Sequence, residues 1–135
     1  MKTNFVSLGA VLAMAVSHNL FAGEIEVQIA PSNVNFASQI HQLTVHTDIP
    51  YKMVNRETLE LLLQGVGFME IDSIGTDAQG NLMAQYVWDV STLSAEDKAR
   101  LLGEGEANFQ LSGYTIDPNP FEGEDDVKVV EVPAP

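Results

Sequence analysis

Not one of the 135 residues is a cysteine, and that absence narrows what the chain can become. Disulfide frameworks, thiolate nucleophiles and lipid anchors carried on cysteine are excluded. The constraint matters because the chain begins like an exported one. Lys2 precedes an uncharged apolar run, FVSLGAVLAMAV, from Phe5 to Val16, and polar Ser17, His18 and Asn19 follow it. The run is shorter than the ~20 apolar residues of a bilayer span. Residues 1–22 are therefore predicted to be a secretory signal peptide cleaved after Ala22, with a cut after Ala15 as the alternative. The mature protein is expected in a periplasm or outside the cell, with no membrane span, where only its apolar core can stabilise it. The segment 23–112, about 90 residues, is long enough for one such core.

All nineteen acidic residues follow Ala22, against five Lys and Arg, so the mature chain carries a formal charge of −14. This field repels nucleic acid and anionic lipid headgroups and favours a cationic partner or divalent cations.

Patterning predicts an α+β domain. In EIEVQI, residues Ile25, Val27 and Ile29 alternate with polar neighbours, the mark of a strand with one wet face. IHQLTVHTDI reads as a second strand. In VNRETLELLLQGVG, Asn55 suits an N-cap, Leu59, Leu62, Leu63 and Val66 lie at helical spacing, and Gly65 suits a stop, which predicts a helix. Phe68 to Ile74 and Leu82 to Val90 read as two further strands, the second placing Trp88 in the core. Ser94, Glu96 and Asp97 announce a second helix ending near Gly103, and NFQLSGYTI a short last strand. Shifting the chain by 39 residues superposes Asn55 on Ser94 and Leu62 on Leu101. Two strand-strand-helix units are thus expected, giving an antiparallel sheet of about 4–5 strands with both helices on one face.

From 113 to 135 an acidic, proline-rich tail is expected, mostly disordered. Within it VKVVEV is able to pair as an edge strand, on this domain or on a partner.

Three places offer chemistry. DSIGTDAQGN holds Asp72, Asp77 and Asn81, but an EF-hand count from Asp72 puts Ile74 and Thr76 at the third and fifth positions, and one from Asp77 puts Leu82 at the sixth and Trp88 at the twelfth, so neither register works. A hairpin turn with Gly80 at positive φ is favoured over weak calcium binding. His41, His46 and Asp48 could offer two nitrogens and an oxygen to zinc or copper. Residues five apart on a strand point to opposite faces, however, so a bulge would be needed. Third, the tail's Glu122, Glu124, Asp125 and Asp126, with Val127, Val129 and Val130, could capture a cationic extracytoplasmic protein. No nucleophile elbow, phosphate loop or dinucleotide fingerprint is present.

The block TLELLLQGVGFMEIDSIGTDAQGNLMAQYVW, in the order helix, glycine break, strand, turn, strand, loosely resembles the PepSY-type modules of exported bacterial proteins. That resemblance implies inhibition or regulation of extracytoplasmic enzymes and transfers no site residue. The expected function is a protein-binding accessory domain without catalysis, with a divalent-cation-binding protein as the alternative.

Overall fold

Alternation of apolar and polar residues, rather than helical spacing, governs almost the whole chain. The computed structural model describes residues 23–133; the expected signal peptide lies outside them. The strands are β1 (Gly23–Glu24), β2 (Val27–Ala30), β3 (Asn33–Asn35), β4 (Ile40–Pro50), β5 (Val54–Leu63), β6 (Gly67–Met69), β7 (Ser73–Thr76), β8 (Asn81–Asp89), β9 (Glu106–Thr115) and β10 (Pro120–Val130). One α-helix, α1 (Ala95–Glu104), joins β8 to β9. A six-stranded sheet runs β1-β10-β9-β5-β6, with β3 also paired to β10, and a four-stranded sheet runs β2-β4-β8-β7. Among the described residues the protein is mostly β, with one α-helix and two sheets rather than two helices on one small sheet.

The expected first helix is strand β5. Leu61 and Leu63 are buried, point the same way and pair with Leu111 and Phe109 of β9. Leu62 lies opposite Gln110 and is only half-buried. The run of leucines satisfies helical and strand periods alike, and pairing with β9 decides between them. Asn55 caps no helix. Its side-chain oxygen accepts from the Glu57 N–H at 3.3 Å, and Thr58 Oγ1 donates to the Asn55 carbonyl at 2.7 Å. These bonds hold the irregularity where the register with β9 shifts between Asn55 and Glu60. The expected duplication therefore fails, since Asn55 to Leu63 is strand where Ser94 to Leu102 is cap and helix. The likeness to PepSY-type modules loses its leading helix as well.

The second helix forms as its caps predict. Ser94 accepts from the Asp97 N–H at 3.0 Å, and Gly105, at φ 78°, ends the helix two residues beyond Gly103. Its one buried residue, Leu101, belongs to the same apolar core as the strands.

The expected tail is also corrected. Residues 113–115 belong to β9, and β10 is an interior strand, with β9 on one side and β1 and β3 on the other. Phe121, Gly123, Val127 and Val129 are buried while Glu122, Glu124, Asp126 and Lys128 are exposed, the period of a half-buried strand. The acids that suggest disorder by composition are its outer face.

The core lies between the sheets, and its centre is aromatic. Trp88 of β8 meets Phe36 at 5.4 Å and Phe109 of β9 at 5.2 Å, both edge to face. Such pairs add about 0.5–1.5 kcal/mol each beyond the area they bury. Tyr86 lies 5.4 Å from Phe109. Its hydroxyl is buried and has no hydrogen-bond partner. Burial, and then the negative charge of Asp125, push its pKa well above the usual tyrosine range.

The segment from β1 to β3 ties the two sheets together. It runs beside β10 in β1, crosses to the four-stranded sheet as β2, and returns beside β10 as β3. Ile25 N–H donates to the Glu122 carbonyl at 2.9 Å, and Ile29 N–H to Asp125 Oδ2 at 2.8 Å. The crossing passes directly over Gly123, where a Cβ would lie 2.5 Å from the Ile25 carbonyl oxygen.

Candidate protein-binding face

Because β10 alternates, every second residue from Glu122 projects from the outer side of the six-stranded sheet. Glu122, Glu124 and Asp126 stand in a row there, opposite Ser112, Gln110 and Asn108 of β9. Neighbours two residues apart on a strand are about 7 Å apart, and at that distance two carboxylates repel by about 0.6 kcal/mol in water. The facing amides offset this. Asn108 Nδ2 donates to Glu124 Oε1 and to Asp126 Oδ1, each at 2.8 Å. Gln110 Nε2 donates to Glu122 Oε1 at 3.4 Å and accepts on its own oxygen from Gln64 Nε2 at 3.4 Å. Since carboxylates only accept, the two short bonds fix the orientation of the Asn108 amide. Its oxygen is then buried without a partner. Asn108 thus holds Glu124 and Asp126 outward, and Gln110 makes a longer contact to Glu122 beside them.

The other sequence-predicted residues of β10 separate. Asp125 points inward, where it accepts from Ile29. Val127 and Val129 are core residues, exposed 0% and 2%, and so cannot meet a partner while the protein is folded. Val130 is exposed beyond Lys128.

The histidines do not come together. His41 shares the inward face of β4 with Leu43 and Val45, and its Nε2 lies 2.8 Å from the Ser38 carbonyl oxygen. His46 lies on the outward face, paired with Gln28 and Met83. The only register shift of β4 against β8 falls after His46, between His46 and Pro50, so no bulge brings the rings onto one side. Asp48 Oδ1 accepts from the Glu26 N–H at 3.0 Å. Among the described residues no group of three or more His, Asp or Glu side chains gathers as metal ligands would.

The loop of DSIGTDAQGN is a hairpin turn between β7 and β8. Gly80 N–H donates to the Asp77 carbonyl at 3.1 Å, and Asp77 N–H to the Asn81 carbonyl at 3.0 Å. Gly80 sits at φ 84°, the left-handed position such three-residue loops require. Asp77 Oδ1 is already occupied, accepting from Gln79 and Asn81 N–H at 2.8 and 2.9 Å. Asp72 stands on the link between the sheets.

Sequence reasoning missed the partners of the carboxylates, Asn108, Gln110 and Gln64. The polar alternation N-x-Q-x-S in β9, matched to E-x-E-x-D in β10, was the available signal.

Fold and face together define an acidic two-sheet β-sandwich. Comparison with protein-family models, characterised proteins and solved structures gave no match. No helix among the described residues is long and apolar enough to cross a membrane.

Proposed function

We propose that this is a small exported accessory domain, without catalysis of its own, that binds a cationic extracytoplasmic protein through the outer face of its six-stranded sheet. The observation that carries the proposal is the row Glu122, Glu124 and Asp126, held outward by Asn108 and Gln110. Carboxylates fixed in this way lose little further side-chain freedom on binding, which lowers the entropic cost of capture. A net charge of −14 after Ala22 speeds encounter with a basic surface.

Affinity capture from the native extracytoplasmic fraction tests it, using the wild type beside the triple variant Glu122→Gln, Glu124→Gln, Asp126→Asn. A specific partner retained by the wild type, lost from the variant and released by about 0.5 M salt supports the proposal. Equal capture by the two proteins would sink it.

A further inference from the structure

We propose that the free edge of the four-stranded sheet, β7, accepts an extended basic segment of another protein as an added strand, with the groove beside Phe68 taking that segment's apolar side chains. Among the described residues strand β7 ends its sheet, paired to β8 on one side only. Hydrogen-bonded pairs alternate along an antiparallel ladder. Counting from the Asp77–Asn81 bond, Gly75 bonds to Met83, while the N–H and C=O groups of Ile74 and Thr76 face away from β8.

Exposed edges are ordinarily blunted by shortness, a bulge, lysine, proline or an inward charge. The segment Ser73-Ile74-Gly75-Thr76 is short, and Asp72 and Ser73 both face Gln85 at its start, but from Ile74 on it carries no lysine, proline or charge. The opposite edge of the same sheet is blunted, since the β2 amide of Ile29 is taken by the Asp125 carboxylate.

Beside the free edge lies apolar surface. Leu59, Met69, Ile71 and Ile74 line a groove of about 290 Å³, with Phe68, 69% exposed and paired to outward-facing Leu62, at its rim. An added strand on β7 would lay alternate side chains against it, the arrangement that gives strand addition its specificity.

Charge selects the occupant. Glu57, Glu60, Glu70 and Asp72, all exposed, line this groove and its two neighbours. The one basic side chain among the lining residues, Arg56, is held against Tyr51, 2.6 Å from its hydroxyl and 5.4 Å from its ring centre. A second copy would bring these acids against their own counterparts, which like-charge repulsion disfavours. A segment alternating apolar residues with Lys or Arg fits both the groove and its rim.

The probe is a synthetic peptide alternating lysine and valine, with its glutamate and valine counterpart as control. Titrated into the ¹⁵N-labelled protein, the basic peptide is expected to shift the amides of Ile74, Gly75 and Thr76. It should also slow hydrogen exchange at Ile74 and Thr76, whose N–H groups gain partners. The acidic peptide should bind at least about tenfold more weakly. Thr76→Pro removes an outward N–H and no internal bond, and should weaken basic-peptide binding by about tenfold or more. If Thr76→Pro fails to fold, Thr76→Lys, which places a like charge at an exposed side chain of the same edge, should give a comparable loss. The triple variant of the outer carboxylates should bind the peptide as the wild type does, which separates the two surfaces. Equal binding of both peptides, shifts confined to β9 and β10, or affinity unmoved by the edge variants would overturn the proposal. So would a concentration-dependent dimer that Thr76→Pro dissolves, which would assign the edge to a second copy.

Discussion

Substitution of Gly123 by alanine adds one methyl group at the point where the link from β1 to β2 crosses β10. A Cβ there would stand 2.5 Å from the Ile25 carbonyl oxygen, 2.7 Å from Val27 Cγ2 and 3.0 Å from Ile25 Cγ1. Carbon and oxygen ordinarily approach no closer than about 3.3 Å, so the crossing segment must retreat by about 0.8 Å. That movement strains the bonds of Ile25 to Glu122 and of Ile29 to Asp125, at 2.9 and 2.8 Å. Overpacking costs about 1–3 kcal/mol and a weakened hydrogen bond about 1 kcal/mol. The usual gain of alanine over glycine in a strand, about 0.5–1 kcal/mol, works in the other direction. A net loss of about 2–3 kcal/mol is expected, lowering a urea midpoint by about 1–2 M. Trp88, the only tryptophan and 1% exposed, reports unfolding by fluorescence. Gly75→Ala is the matched control, because its Cβ would meet nothing within 4 Å and its backbone is not left-handed. It should be neutral or slightly stabilising. Gly123→Ala within about 0.5 kcal/mol of the wild type, or both variants equally destabilised, would refute the steric account.

Tyr86→Phe removes a buried hydroxyl that has no partner and should raise stability at pH 7 by about 1 kcal/mol, read by urea denaturation. In the wild type the native state holds the Tyr86 proton after the unfolded chain has released it, so stability should fall as pH rises above the ordinary tyrosine value of 10.0. The Tyr86→Phe variant should lessen that alkaline loss, and an equal loss in both proteins would count against the burial argument. Asp77→Ala strips the turn of two side-chain hydrogen bonds and should cost about 1–2 kcal/mol. If the loop is purely a turn, the deficit relative to the wild type will be the same with and without millimolar calcium. A deficit that appears only with calcium would restore a ligand role.

Several features of the fold were legible residue by residue. Ile25, Val27 and Ile29 face inward as their alternation predicts, Trp88 is core, Ser94 caps a helix, and Gly80 makes the turn at positive φ. His41 and His46 fall on opposite faces of β4, as their spacing implies. The failures share a physical cause, which is that a distant strand settled what local pattern left open. Leu59 to Leu63 fits two periods, and Asn55 and Thr58 bond the backbone of a bulge as readily as that of a helix end. Phe121 to Val129 carries a strand period, but its wet face is so acidic that composition alone suggests disorder. The candidate face was half legible. Its carboxylates stood out, whereas the amides that hold them lie on β9, brought opposite only by a hairpin whose register the sequence does not print.

The first strand of this domain has no neighbour until the last has been made. Among the described residues both β1 and β3 pair only with β10, whose partners in them lie roughly a hundred residues upstream. A chain emerging from its N-terminus therefore cannot close the six-stranded sheet part-way: an end before Pro120 leaves both β1 and β3 without their template, and an end between Glu122 and Lys128 still leaves β3 without one. Contacts of such range make folding slow. For a chain exported as proposed this is a built-in delay: the six-stranded sheet stays unfinished, and the chain threadable, until β10 is released.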